Sequence, residues 1–413
     1  MTVPRGLRSP FGQVCLILAT AAAVALFLAT VPTFRHFFDL GVYRGAVRYW
    51  LVDGGDLYDF RYQGGEYGFT YPPFAALVLS PLALTAWPVA VAAGIAVNAG
   101  AVALLLRWYL VPILRRHGWP VWTPCALAFI AVVVFEPARD TFSFGQVNLV
   151  LLVLVCADLR ALPDRRWAGV GIGLAVAVKL TPAVFIGYLL LSRQYRAAAV
   201  ATGTAATATL LAAAVAPGPS REFWTAALWD TSRVGRLAYV SNQSLRGVVA
   251  RLDAPPGWWL AAVAVVLACW WLRVRRPAGG ADHAAGFAIT GAVACLVSPV
   301  TWVHHLVWLL PALFLLLDAA LAVDGPGRRR RLIALAAVYV LLSSSVVWLW
   351  WAGGRGWLAV VGSNAYVWIS IGLLLAVPAR TGPPAGGGRR PAAPGTAVPA
   401  GDADRTRAGV ARI

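Results

Sequence analysis

FGQVCLILATAAAVALFLATV (11–31) is followed, six residues later, by FDLGVYRGAVRYWLVDGGDLYDFRYQGGEYGFTYPP (38–73). The first stretch is apolar for about twenty residues, the length that crosses a bilayer. It follows Arg5 and Arg8 and exceeds an ordinary signal core, so it reads as an uncleaved first transmembrane helix. The second stretch is acidic, aromatic and glycine-rich, and it delays the return to apolar sequence. A chain that could re-enter the bilayer at once instead displays Asp, Arg, Tyr and Gly, and chemistry is most simply placed there.

Composition extends the membrane reading to the whole chain. Of 413 residues, 60% are hydrophobic and 13% charged, where a soluble domain carries about a quarter charged. The formal charge of +18 is almost entirely arginine, Lys179 being the only lysine. These arginines form short clusters between apolar runs, the pattern that sets topology, and nucleic-acid binding is set aside on that ground. The five cysteines, Cys15, Cys125, Cys156, Cys269 and Cys295, lie in apolar runs without CxxC spacing. They read as small buried hydrophobes and imply neither a disulfide framework nor a zinc site.

Spans are expected at 11–31, 86–111, 120–137, 145–160, 197–216, 257–273, 284–299, 303–320, 331–352 and 357–378. Two further segments are awkward: 72–84 is short and opens on Pro72-Pro73, and 167–192 is interrupted by Lys179-Leu180-Thr181-Pro182. Proline removes a backbone donor and disfavours helix in the residue before it. Broken backbone at membrane depth is tolerated where it is enclosed by protein or lines a watery cavity. The chain therefore reads as an all-α polytopic bundle of about 10–12 transmembrane helices. Arg5/Arg8, Arg115-Arg116, Arg160/Arg165/Arg166, Arg193/Arg196, Arg273/Arg275/Arg276 and Arg328–Arg331 are expected on the cytoplasmic side, together with both termini. The opposite side then collects 32–71, 136–148, 217–256, 298–305 and 353–357. Residues 379–413, rich in Gly, Pro, Ala and Arg, are expected to form a disordered cytoplasmic tail.

The candidate residues each carry two readings. Asp39 is either a solvated loop carboxylate or, close to the apolar boundary, a partly desolvated general base. Around it, DLGVYR suggests a short amphipathic helix on the membrane surface, with Val42 and Ala46 on one side. Tyr43 and Arg44 share that helix, and Arg44 is not assumed to pair with Asp39. Asp53, Asp56, Asp59 and Glu66, with the rings of Tyr58, Tyr62, Tyr67, Phe69 and Tyr71, suit sugar hydroxyls and sugar faces, or else a compact turn-rich loop. Their spacing does not follow a calcium loop. Gln146 and Asn148 open an apolar span as substrate contacts or as caps. Lys179 is an intramembrane cation, functional by default and suited to a lipid phosphate, or a snorkelling side chain. His304 and His305 point about a hundred degrees apart on a helix and cannot easily share a metal. Near the Trp302 and Trp308 rings they are interfacial anchors or hydrogen-bond partners of a phosphate. Arg246, in SNQSLRG with Asn242 and Gln243, offers a planar fork of donors for the same anion.

Taken in order, FDLGVYRGA, GGDLYD, FTYPP, GQVNLVLL, KLTPAVF, SNQSLRG and SPVTWVHH resemble glycosyltransferase family 87 over roughly residues 10 to 378. These are actinobacterial α-1,2-mannosyltransferases that use polyprenyl-phosphate-mannose to extend phosphatidylinositol mannosides and lipoglycans. The resemblance implies a GT-C fold over 1–378, a catalytic first extracytoplasmic loop at 32–71 and a second long one at 217–256. It implies an active site on the outer face of the plasma membrane, with Asp39 at the catalytic carboxylate's position. The transfer would invert the anomeric centre, so one base suffices and no nucleophilic carboxylate is needed. His304, His305, Lys179 and Arg246 would receive the leaving phosphate. Tyr43, Arg44, Asp56, Tyr58, Tyr71, Gln146, Asn148, Asn242 and Gln243 would contact substrate. No cofactor or metal is implied; the partners are the lipid-linked donor, a glycolipid acceptor and the bilayer. Another lipid-linked sugar such as arabinose remains an alternative, because no residue is seen to read the C6 hydroxyl. A transporter or flippase of lipid-linked sugar is a rival of another class. It predicts central charges in both halves and internal symmetry, whereas Lys179 alone qualifies and the polar groups gather on one face.

Overall fold

The computed structural model describes residues 9–31, 33–163, 167–275 and 282–378. The tail 379–413 lies outside these, as do Arg5, Arg8, Arg165, Arg166 and Arg276 of the topology clusters. Among the described residues all regular structure is helical. Among these residues five helices are long and apolar enough to cross a membrane: Pro10–Thr30, Trp87–Arg116, Tyr195–Val215, Gly257–Val274 and Val303–Leu321. Two sharply bent pairs raise the count to seven, Glu136–Phe144 with Asn148–Ala161 (118°) and Trp357–Ser363 with Ala365–Ala376 (65°). The chain is an all-α multi-pass membrane protein.

Two of the expected spans, 120–137 and 284–299, fold as helices that are short for a bilayer crossing. Trp122–Val134 has 13 residues and His283–Val297 has 15. At a rise of about 1.5 Å per residue neither reaches the roughly 30 Å of a hydrocarbon core. The 331–352 segment divides where Ser345 takes φ +58°, between Gly325–Ser343 and the tight turn Val346–Trp350. Pro73–Leu79 and Ser80–Ala83 form the expected short element after the first loop.

The first loop is a small structured unit rather than a connector. His36 and Phe37 take positive φ (+51° and +53°), and the Phe37 N–H donates to the Ser143 carbonyl at 2.8 Å. This anchors the start of the helix Phe38–Leu51 to the end of Glu136–Phe144. Asp39 sits in that helix's first turn, where a carboxylate complements the exposed N–H groups. Val42 and Ala46 are buried against protein, so the helix packs into the bundle and not, as its pattern suggested, onto a lipid surface. A Cβ on Gly41 would lie 2.4 Å from the Tyr62 hydroxyl, and one on Gly45 2.4 Å from the Phe60 ring. This glycine pair lets the acidic segment fold back over the helix. Tyr43, Leu57, Tyr58, Phe69, Tyr71 and Phe223 then form a second apolar core beside the main one.

The 167–192 segment breaks at the expected place. The helix Val170–Val178 ends at Lys179, whose backbone is extended (φ −153°, ψ 128°), and Thr181–Ala183 leads into Val184–Leu191. Asp158, buried on the preceding helix, accepts the Gly171 and Ile172 N–H groups at 3.2 and 2.6 Å and satisfies the start of Val170–Val178. The break turns the lysine out of helical register and toward the first loop.

Candidate functional site

A cavity of about 480 Å³ is walled by the first loop, the Gln146 bend, the Lys179 break, the 223–241 segment and the Val303–Leu309 turn. Asp39, Tyr43, Tyr71, Gln146, Lys179, His304 and His305 all line it. Sequence segments separated by up to 266 positions are thus joined on one wall.

The join is a directed chain of hydrogen bonds. The Gln146 amide donates through Nε2 to Asp39 Oδ2 at 2.8 Å, and its Oε1 accepts from the Tyr71 hydroxyl at 3.0 Å. A carboxylate only accepts, so the amide must face it with nitrogen, and Tyr71 must then donate to the oxygen. With its proton so committed, the Tyr71 oxygen receives the Tyr43 hydroxyl at 2.9 Å. Burial raises both phenols well above the usual tyrosine value, which keeps them protonated donors. Burial also lifts Asp39 to about 6, opposed by the Gln146 hydrogen bond and the Lys179 charge. The carboxylate is therefore both ionised and basic near neutrality.

Gln146 reaches Asp39 because of Gly145, whose φ of +70° ends the helix Glu136–Phe144. A Cβ there would lie 2.6 Å from that of Leu40, the neighbour of Asp39, so only glycine permits both the turn and the approach. The Gln146 carbonyl is held from behind by Asn98 Nδ2 at 3.1 Å.

Lys179 ties several of these segments together. Its Nζ lies 2.8 Å from His305 Nε2, 3.1 Å from Asn148 Oδ1 and 3.4 Å from the Tyr71 hydroxyl. The His305 ring is fixed at its other nitrogen, Nδ1, by the Trp302 N–H at 3.1 Å. His304 is different: its Nε2 is buried with no hydrogen-bond partner among the described residues. Its ring packs on Phe144, centroids 5.0 Å apart, and on His305 at 4.6 Å. Its carbonyl accepts from Thr141 Oγ1 (3.2 Å) and Asn148 Nδ2 (3.4 Å). No group of three or more His, Cys, Asp or Glu side chains with metal-binding geometry occurs among the described residues.

Other expected substrate contacts stand elsewhere. Asn148 lies behind the wall, where it holds Lys179 and His304. Arg44 donates to the Thr85 carbonyl at 2.9 Å, since its helix turns it away from Asp39. Asp56 is exposed on the loop's outer side. Tyr58 is fully buried in the second core, its hydroxyl given to the Tyr71 carbonyl at 2.8 Å, and no ring face is left for a sugar. Asn242 and Gln243 are fully buried and bind backbone: Asn242 takes the Thr301 N–H at 2.9 Å, and Gln243 donates to the Val240 and Ser363 carbonyls. Arg246 stacks 4.9 Å from the Trp259 ring, away from the cavity.

Sequence reasoning passed over Arg35, Arg233, Tyr239 and Trp348, which line the cavity. Arg35 carried a signal, standing four residues before Asp39 at the end of the first span. Arg233 donates to the Tyr58 carbonyl (2.9 Å) and pairs with Asp230 (3.3 Å), which ties the 217–256 segment to the first loop.

Comparison with known proteins bears on this arrangement. The family model described as glycosyltransferase family 87 matches residues 69–299. A relative from Mycolicibacterium smegmatis is 37% identical over 306 residues, covering 67% of this chain and 68% of its own. One from Mycobacterium tuberculosis is 34% identical over 361 residues, 81% of each chain. Both are named polyprenol-phosphate-mannose-dependent alpha-(1-2)-phosphatidylinositol mannoside mannosyltransferase. A third, from M. smegmatis, is named for the pentamannoside and is 35% identical over 370 residues, 86% of this chain and 87% of its own. No solved structure matches. A family match over more than half the chain and relatives of this identity over most of it agree: the chain belongs to glycosyltransferase family 87.

Proposed function

We propose that this protein transfers mannose from polyprenyl-phosphate-mannose to a hydroxyl of a phosphatidylinositol-mannoside-type glycolipid, forming an α-1,2 linkage with inversion. The observation that carries this reading is one cavity in which a basic, half-buried carboxylate faces a lysine–histidine wall. The relatives' names supply the donor and acceptor classes.

Asp39 accepts the proton of the acceptor hydroxyl as its oxygen bonds to the mannosyl C1. The C1–O bond to the phosphate breaks on the opposite face, and its electron pair leaves with polyprenyl phosphate. One base serves this reaction. Asp39 is the carboxylate embedded in the hydrogen-bonded wall, whereas Asp230, at the cavity's loop side, is paired with Arg233. The Gln146 amide aims the carboxylate, and Tyr43 and Tyr71 direct their dipoles toward it. Lys179 contributes positive charge and holds the walls together by donating to Asn148 and Tyr71. His304 Nε2, buried and unpartnered, is available to the departing phosphate.

The arginines support an outward-facing site. The helix Asn148–Ala161 starts at the site and carries Arg160 in its last turn. Trp87–Arg116 passes the site at Asn98 and ends on Arg115 and Arg116. The site's distance from these positive clusters supports an extracytoplasmic placement under the positive-inside rule.

The test is transfer by the purified protein from radiolabelled polyprenyl-phosphate-mannose, with polyprenyl-phosphate-arabinose in parallel and phosphatidylinositol mannosides as acceptor. A new mannolipid with wild type is expected, and none above background with Asp39→Asn. Transfer of arabinose alone would overturn the choice of sugar; undiminished transfer by Asp39→Asn would overturn the base.

A further inference from the structure

Arg35 has the features of an anion-binding side chain that is waiting for its ligand. The guanidinium is permanently charged and carries five N–H donors. Among the described residues it makes no hydrogen bond, and its Nε is buried without a partner. The neighbouring carboxylate, Asp140, stands 3.9 Å away, beyond hydrogen-bond reach. Such a buried, unmet donor costs stability unless something completes it.

Its position is nonetheless tightly specified. The guanidinium carbon lies 4.6 Å from the Trp348 ring and 5.5 Å from the Phe144 ring. Trp348 is pinned by its own Nε1–H, which donates to Glu136 at 2.7 Å. Glu136 is buried and also receives the Tyr366 hydroxyl. Phe144 in turn touches the His304 ring, whose Nε2 is the other unmet nitrogen on this wall. Arg35, Phe144, Trp348 and His304 all line the cavity that holds Asp39. Aromatic faces fix the cation without consuming its donors, so the fork stays available for oxygen atoms.

We propose that Arg35, held between Trp348 and Phe144, binds the phosphate of the lipid-linked donor, with His304 completing the contact. This assignment rests on the proposed donor chemistry. It gives a role to the Trp348 ring that Glu136 holds in place, and it gives the phosphate a cation whose guanidinium makes no hydrogen bond among the described residues, where Lys179 already donates to Asn148 and Tyr71. A phosphodiester on the acceptor lipid offers the same chemistry, so the experiment must separate the two sources.

Binding to the purified full-length protein is measured with three probes: polyprenyl phosphate, unphosphorylated polyprenol and phosphatidylinositol. Arg35→Gln is expected to weaken polyprenyl phosphate by about ten- to a hundredfold, the range of a charge-assisted bidentate contact. Polyprenol and phosphatidylinositol should bind as to wild type. Arg35→Lys, which keeps charge but loses the fork, should weaken the phosphate about threefold to tenfold, and it decides the matter if Arg35→Gln does not fold. Unchanged polyprenyl phosphate binding, equal weakening of all three probes, or a loss confined to phosphatidylinositol would each overturn the assignment. Transfer assays on wild type keep the two proposals apart. Arg35-dependent phosphate binding without mannose transfer sinks the function and spares the site, and transfer with Arg35-independent binding does the reverse.

Discussion

Two polar pairs look alike in the sequence and do opposite things in the fold. Gln146 and Asn148 open one apolar helix, and Asn242 and Gln243 precede another. Gln146 spends its amide on two side chains of the cavity wall, Asp39 and Tyr71. Asn242 and Gln243 spend theirs on backbone at Leu237, Val240, Pro299, Thr301 and Ser363. An amide that ties backbone to backbone stitches a fold, while one that links titratable and phenolic groups tunes chemistry. Residue type and local context are the same; the partners, brought from distant segments, decide.

The comparison breaks or holds first at the atom that Gln146 serves. Asp39→Asn should lower kcat by about a thousandfold, within the usual range for loss of a general base, while leaving donor binding intact. Because Asn still accepts from Gln146, this variant should remain folded; its melting temperature checks that. The pH profile adds a sign. A protonated Asp39 cannot take the acceptor's proton, so kcat/KM should fall as pH drops through about 6. Gln146→Leu removes the hydrogen bond that holds Asp39 down, so its acid limb should move to higher pH and kcat should drop by about tenfold or more. A limb that stays in place would make Gln146 another stitch.

For the second pair the expectation is reversed. Asn242→Ala strands the Thr301 N–H and the Leu237 carbonyl, while the Pro299 carbonyl keeps the Ser244 hydroxyl. Stability should fall by about 2–3 kcal/mol, since a buried group left unmet costs its desolvation. The folded fraction should keep its KM for both lipids. A selective rise in KM at undiminished melting temperature would move Asn242 into the site.

How much of this the sequence disclosed follows the same division. Apolar length gave the membrane class, and Pro182 gave the break that presents Lys179. Asp39, Tyr43, Tyr71, Gln146 and the two histidines were visible because polar residues beside apolar helices are conspicuous. The roles within the first loop were not. Tyr58 and Tyr71 share a ring type, a loop and a core, yet Tyr71 also lines the cavity and Tyr58 does not. Only the fold-back over Gly41 and Gly45 sorts them, and that depends on long-range contact. The helix Trp122–Val134 stops short of the apolar run 120–137 for a related reason: hydropathy records what is apolar, not where a helix stops.

The smallest effect sharpens the comparison at the arginines. Arg246 and Arg35 both lie over tryptophan rings, at 4.9 and 4.6 Å. Arg246, in its SNQSLRG motif, had the stronger claim in sequence to a phosphate, but its ring is Trp259, on a helix that does not reach the cavity. Its cation–π contact contributes about 0.5–1 kcal/mol. Arg246→Gln should therefore cost no more than that in stability and leave the donor KM within about twofold of wild type. Arg35→Gln, measured beside it, should raise that KM by at least about tenfold. If the two variants behaved alike, the same cation–π pairing would carry the same function wherever it occurs, and position on the cavity wall would not be what separates them.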